Sequence, residues 1–234
     1  MTLEDWLRGK QARQSEIEPD DNLGLLLRYG RDCIGAVSVI NPDALAYADL
    51  TSGADPLDIA TAQPRTLSGV QPKILVTKSD DDYVPAGADG PAPYIAKFPS
   101  EDLPDLVVNE DLTLKLCRDL LGWGAVAEAH RGFVHGLSRP ALLVRRFDRG
   151  EAGEKYHLED FAQLLNKPRR RDFNGKYDAS FEDCACVIRT HSARAKVDLL
   201  RLSPAYNVVN TYVHGARGYT TWFGLRIGGD VIAA

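Results

Sequence analysis

The sequence has little cysteine, with four in 234 residues, and a single methionine. Cys33, Cys117, Cys184 and Cys186 do not form a metal-ligand pattern. Cys184-Ala185-Cys186 is too close for a zinc pair, and no His/Cys partners follow it. That excludes a cysteine-built zinc site and predicts reduced thiols in a cytosolic protein. Long apolar runs are also missing. None reaches the length needed to span a membrane, and the opening MTLEDWLRGKQ holds no signal-peptide stretch, so the expected location is cytoplasmic. There is no excess of positive charge: the net charge of -5 argues against a surface built mainly for nucleic acid. The basic run Lys167-Pro168-Arg169-Arg170-Arg171 reads as a solvated loop. Internal repeats and low-complexity tracts are absent as well.

What is present is an ordinary soluble composition, 44% hydrophobic and 26% charged, with enough chain to bury a real core. A short helix is expected from Leu3 to Arg13, and another from Asn22 to Tyr29 with Gly30 as its C-cap. Asp32 to Ile40 reads as a buried strand, and Asn41 to Pro64 as an irregular connector. Strands are expected at Lys73 to Lys78 and Tyr94 to Phe98, separated by a long acidic, Gly- and Pro-rich mobile loop. Asn109 to Leu121 is a helix with Leu112, Leu116 and Leu120 on one stripe, widened by Cys117 and Leu121 and ended by Gly122. Val126 to Val134 and Ala141 to Phe147 form an antiparallel hairpin around Gly136. Helices follow at His157 to Asn166 and from Ser180 to Arg194, the second with Asp183 in the reciprocal capping position. Tyr219 to Ile232 offers one more hairpin. The fold class is α+β, a sheet followed by a helical part.

The most informative stretch is LSGVQPK, Leu67 to Lys73, followed by ILVTK and then YIAKFP. A glycine-containing turn between strands, with a lysine in an apolar strand behind it, is one way a fold holds nucleotide phosphates. Gly69 permits close backbone approach, and Lys73 and Lys97 supply cations. Glu110, at the start of the next helix, is the natural partner of Lys97, since kinases hold the α- and β-phosphates with a strand lysine paired to a helix glutamate. Taken singly, each piece has a plainer reading. Any β-turn holds Ser-Gly, a strand lysine snorkels to water, and a glutamate suits a first helical turn.

Together with DCIGAVSV (Asp32 to Val39), the Asn109-Glu110 pair, VRRFDR (Val144 to Arg149), YHLEDFAQLL (Tyr156 to Leu165) and SPAYNVVNTYVHG (Ser203 to Gly215), these pieces occur in an order that resembles the HipA family of bacterial serine/threonine kinases, the toxins of toxin–antitoxin pairs. The resemblance covers roughly Asn22 to Gly215. It implies a protein-kinase-like fold with three parts: a polar N-terminal segment (1–21), an antiparallel-sheet N-lobe carrying the nucleotide loop and hinge (22–148), and a partial helical C-lobe (149–234). It also implies ATP and Mg2+ as cofactors. Ser68, Gly69, Val70, Gln71 and Lys73 would cover the phosphates, and Lys97 with Glu110 would hold them. Arg145, Arg146 and Phe147 would form the hinge that takes adenine through backbone groups, with Tyr206 and Asn207 completing the site. Thr66 stands near the place of the family's regulatory phosphorylated serine. The implied partners are a DNA-binding antitoxin and a protein substrate such as an aminoacyl-tRNA synthetase.

Two departures bear on activity. The family's SPAYD supplies a magnesium-binding aspartate, whereas this chain has Asn207, nearly isosteric but neutral and a poor ligand for a hard dication. The family's catalytic loop, an aspartate base with an asparagine five residues on, has no counterpart in HSARAKVDLLRLSPAYN. Asp198 is the only acid between Asp183 and Asn207, and five residues after it stands Ser203. An internal deletion and an incomplete C-lobe are therefore expected, leaving apolar helix faces uncovered. Loss of a general base costs about 10²- to 10⁴-fold, or roughly 3–5 kcal/mol of barrier. Three readings remain: an active kinase with Asp198 as base, an ATP-binding pseudokinase that binds a partner, and a non-functional kinase remnant.

Overall fold

The computed structural model of the chain describes residues 17–18, 21–42, 71–87, 90–99, 104–167, 179–201, 225–227 and 230–232. The expected helix at 3–13, most of the 41–64 connector, the basic run from Pro168, and Thr66, Ser68, Gly69, Val70, Ser203, Tyr206 and Asn207 lie outside these. The described residues up to Asp111, together with Ala127–Leu158, form one compact unit; Leu112–Val126 and the described residues from Glu159 onward form a second.

The first unit is built on one sheet. Helix α1 (Asn22–Tyr29) is capped by the Asp21 carboxylate, which accepts from the Gly24 N–H, and closes with the Gly30 N–H donating to Leu26. Strands β1 (Lys73–Ser79), β2 (Asp82–Pro85), β3 (Tyr94–Lys97), β4 (Ala129–Gly132) and β5 (Ala141–Arg145) pair antiparallel in the order β2-β1-β3-β5-β4. The sheet curls until its ends meet: Tyr83 bridges Val134, and the His135 N–H donates to the Tyr83 carbonyl at 2.7 Å. Alternation then sorts the side chains. One face carries Ile74, Val76, Ala96, Ala141 and Leu143, packed with Phe98 and Val134. The other carries Leu75 and Ile95, packed with Ala86 and Ala92.

Three expectations are corrected here. Asp32 to Ile40 is not a buried strand. It is an irregular segment in which the Cys33 and Gly35 carbonyls accept from the Arg149 side chain, and Ile34, Val37 and Ile40 are exposed. The loop after β1 is shorter than expected, because β2 lies inside it. A two-residue turn at Asp80-Asp81, with Asp80 left-handed (φ 54°), returns Tyr83 and Val84 to β1. Asp tolerates that conformation better than most residues. The third correction concerns helix α2 (Leu106–Leu121). It forms where expected, starting three residues earlier than read, but Leu112, Leu116 and Leu120 are 58%, 55% and 74% exposed. The buried positions are Val107, Glu110, Asp111 and Thr113. Glu110 and Asp111 are ion-paired to the sheet, as described below.

In the second unit, α2 ends at Gly122 in the left-handed region (φ 88°), before a 3-10 turn at Trp123–Ala125. The helix expected from His157 begins only at Phe161, as α3 (Phe161–Leu164). Asp160 and Gln163 form a capping box there, and Leu158 is drawn into the first unit, its backbone N 3.2 Å from where a Cβ on Gly35 would stand. Helix α4 (Phe181–His191) has the expected Ser180–Asp183 capping box but stops at His191. A separate helix follows, α5 (Ala195–Arg201). Strands β6 (Leu225–Ile227) and β7 (Asp230–Ile232) make the small hairpin read at 219–232. The four cysteines are free thiols. Burial pushes the Cys184 thiol up, with Asp183 adding to the effect, and so disfavours a reactive thiolate. Among the described residues no helix is long and apolar enough to cross a membrane.

Candidate nucleotide site

Lys73 and Lys97 are direct cross-strand partners on β1 and β3; Lys97 faces Leu142 on β5, and Leu142 faces Arg131 on β4. Residues directly opposite each other share a face. Three cations and one leucine therefore form a row across four strands, on the face of Leu75 and Ile95. Helix α2 sets two carboxylates against this row. Glu110 pairs with the Lys97 ammonium, the two side chains being 10% and 24% exposed. Asp111, its side chain 2% exposed, accepts from Arg131 Nε at 3.1 Å. The first of these is the lysine–glutamate pair expected from the sequence. The second was not read, although its signal is a second acid beside Glu110 on the same helix, with an arginine at an alternate strand position.

The loop stem is fastened beside Lys97. Gln71 Nε2 donates to the Phe98 carbonyl at 3.1 Å, and the Phe98 N–H donates to the Pro72 carbonyl at 2.9 Å. The Gln71 side chain thus holds the loop base to the end of β3. The other loop residues named for phosphate binding, Ser68, Gly69 and Val70, are outside the described residues.

At the far end of the sheet, Arg145 and Arg146 donate their backbone N–H groups to Glu128 and Pro93, at 2.9 and 2.8 Å. The Arg145 side chain is exposed and reaches Glu128 and Glu151, which raise its pKa. Phe147 is 72% exposed, and its peptide makes no hydrogen bond among the described residues. The Arg146 side chain is the opposite case, 2% exposed and fully engaged. Its Nε and NH2 fork onto Asp148 at 2.9 Å each, and NH1 reaches Asp32 at 3.1 Å. Arg149 closes the ring: it pairs with Asp32, meets Asp148 at 2.9 Å, and donates to the Cys33 and Gly35 carbonyls at 2.9 Å each. The Gly35 N–H donates back to Asp148 at 2.8 Å. Burial alone would raise the Asp148 pKa, but hydrogen bonds from Arg146 and Gly35 and the two guanidinium charges hold it below the usual range. For Arg146 burial acts to lower the pKa and is outweighed by Asp148 and Asp32. Asp32, Asp148 and Arg149 were not read as site residues. Their signal was the charge inside the otherwise apolar DCIGAVSV and the doubled arginine of VRRFDR.

Asp198 lies in the second unit, in the first turn of α5, where its Oδ2 accepts from the Ser192 hydroxyl at 2.5 Å. The magnesium expectation rests on Asn207, outside the described residues. Among the described residues no group of three or more His, Cys, Asp or Glu side chains converges as a metal site.

Comparison with known proteins gives a consistent picture. The HipA-like C-terminal domain matches residues 65–202 and the HipA N-terminal domain matches residues 1–40. "Putative kinase Y4mE" of Sinorhizobium fredii is 29% identical over 239 positions, covering 87% of this chain and 54% of that protein. "Putative kinase Y4dM" of the same organism is 31% identical, covering 68% and 41%. The chain spans about half the length of the curated relatives it matches. The Y4mE alignment has more positions than this chain has residues, so that relative carries residues for which this chain has no counterpart. In structure, the chain is similar over 89% of its length to 57% of a chain in the Shewanella oneidensis MR-1 toxin–antitoxin complex of HipA, HipB and operator DNA (TM-score 0.54, 21% identity). That likeness carries the fold, which is kinase-like. A domain match over more than half of the sequence settles the lineage: this chain belongs to the HipA-like family.

Proposed function

We propose that this chain is a HipA-like kinase-fold module that binds ATP between the 67–73 loop and Lys97 and transfers its γ-phosphate poorly or not at all. The Lys97–Glu110 pair carries the reading. A lysine two strands from a sheet edge, held by a glutamate on the following helix, has its ammonium fixed where polyphosphate oxygens would sit. Lys73 directly opposite doubles the positive charge on the same face. Two positive charges on one face suit the polyphosphate of a nucleoside triphosphate. ATP would bring the phosphoryl group; the chain would supply Lys73, Lys97 and the loop stem for the phosphates, and the Phe147 peptide for adenine.

Impaired transfer is supported by Asn207 in the magnesium position, by the missing catalytic loop, and by the helical setting of Asp198, whose carboxylate is engaged at the start of α5. The chemistry in this class is mostly positioning and charge neutralisation, so a neutral metal ligand and an absent base remove its main contributors. The same reading assigns a DNA-binding protein as partner, because the similar Shewanella chain assembles with HipB and operator DNA.

The test is ATP binding with and without Lys97. Calorimetry or thermal shift with magnesium ATP is expected to show binding by the unmodified protein, weakened about 10- to 100-fold in Lys97→Ala, the scale of one charge-assisted contact. No transfer of labelled phosphate is expected. Transfer that disappears in Lys97→Ala would overturn the impairment, and absence of any ATP effect would remove the binding claim.

A further inference from the structure

The buried ring of Asp32, Arg146, Asp148 and Arg149 joins two segments more than a hundred residues apart in sequence. It sets two guanidinium groups against two carboxylates, all four side chains 10% exposed or less, and the Lys155 ammonium adds a third cation 3.9 Å from Asp32. Buried ion pairs of this kind repay little in stability beyond their desolvation cost, and are better understood as fixing one geometry. The geometry fixed here is local and unusual. Arg146 and Asp148 flank Phe147, and both are locked by their side chains. The Phe147 peptide between them is left without a hydrogen bond among the described residues. The residues on either side of that peptide are tied down.

The tie comes from the N-terminal side. Asp32 touches both arginines, and the backbone of Cys33 and Gly35 is gripped by Arg149 and Asp148. Gly35 has φ 82°, and a Cβ there would meet the Leu158 backbone at 3.2 Å, so the close approach requires glycine.

We infer that Asp32 is a positioning residue for the nucleotide base: through Arg146 and Arg149 it holds the Phe147 peptide in the orientation that reads adenine. This rests on the nucleotide reading above. It goes further by giving the segment 32–35 a role in base selectivity rather than in phosphate binding. A peptide N–H and C=O present one donor and one acceptor in fixed positions. Adenine and guanine differ in which ring positions donate and accept, so a held peptide discriminates them and a loosened one does not.

The experiment compares ATP, GTP and inorganic tripolyphosphate by calorimetry on the unmodified protein, Asp32→Asn and Lys97→Ala. Asp32→Asn is expected to lower the ATP-over-GTP preference about tenfold, the equivalent of about 1.4 kcal/mol, while tripolyphosphate affinity stays within about twofold. Asp32→Glu restores part of the preference. Lys97→Ala weakens ATP, GTP and tripolyphosphate together and leaves the preference intact. An Asp32→Asn protein that keeps its preference overturns the inference. A second arm needs no variant. In the unmodified protein, ATP is expected to slow hydrogen exchange at the Gly35 amide, which bonds to Asp148, because coupling between base and ring is reciprocal. Unchanged Gly35 exchange at saturating ATP also overturns the inference, whether or not Asp32→Asn folds. Failure of the unmodified protein to bind ATP overturns the nucleotide reading itself, an outcome separate from the other two.

Discussion

Asp148 shows how a single carboxylate becomes a pH-dependent fastener. Its folded-state pKa is depressed, so the stability it contributes is fully present above its unfolded value of about 4 and is lost as pH falls through the lower folded value. Arg146, raised from an already high value, stays charged throughout and adds no second window. Urea unfolding of the unmodified protein should therefore lose stability steeply below about pH 4. In Asp148→Asn that acid-dependent loss should shrink, with the whole curve displaced downward by about 3–5 kcal/mol, the cost of leaving a buried ion unpaired. Equal acid dependence in both proteins would show that other carboxylates dominate. Little of this was legible in the sequence. The motif VRRFDR marks a place where charges crowd together, but whether an arginine meets solvent, a ligand or a distant aspartate depends on contacts 114 positions away.

At the scale of elements, local chemistry was the most readable. Ser180 and Asp183 were expected to cap a helix reciprocally, and they do: Ser180 Oγ accepts from the Asp183 N–H at 3.0 Å, and Asp183 Oδ2 accepts from the Ser180 N–H at 2.9 Å. Ser180→Ala is expected to cost about 1 kcal/mol, seen as a lower unfolding midpoint, while Ser180→Asp, another strong capping residue, should retain most of the stability. Loss of helix in Ser180→Asp as large as in Ala would contradict the cap. The strands at 73–79 and 94–97 were readable for the same reason, through short-range alternation. Strand β2 was missed because its acidic turn resembles a loop, and only pairing to β1 makes it a strand. The segment 32–40 misled in the other direction. Its apolar run has strand composition, but its Cys33 and Gly35 carbonyls accept from Arg149.

For the whole molecule, the distribution of the core matters more than its size. Helix periodicity put Leu112, Leu116 and Leu120 on the packed side of α2, yet all three are exposed, while Glu110 and Asp111 are buried and ion-paired. Two ion pairs outrank an apolar stripe here because buried carboxylates without partners are far more costly than exposed leucines. Leu116→Gln is therefore expected to change stability by no more than about 0.5 kcal/mol. Leu142→Ala, at a position with no exposure, should cost about 2–5 kcal/mol. Denaturant midpoints compare the two directly, and equal losses would mean that the leucine stripe is packed in solution. The family and the sheet-plus-helices plan were legible from motif order. The covered side of α2 was not, since nothing local distinguishes a helix that buries leucine from one that buries its acids.

The row Lys73, Lys97, Leu142 and Arg131 has a consequence for how the sheet finds its alignment. Successive side chains on a strand alternate faces, so sliding β3 by one residue would drive Lys97 in among Ile74, Val76 and Phe98 and turn Ala96 toward the carboxylates of α2. Each misplaced ammonium would sit in hydrocarbon without a counter-charge, at a cost of several kcal/mol. The charges that would meet a nucleotide thus also work as a proofreading mark during folding: they admit one strand alignment and reject its neighbours before any ligand arrives.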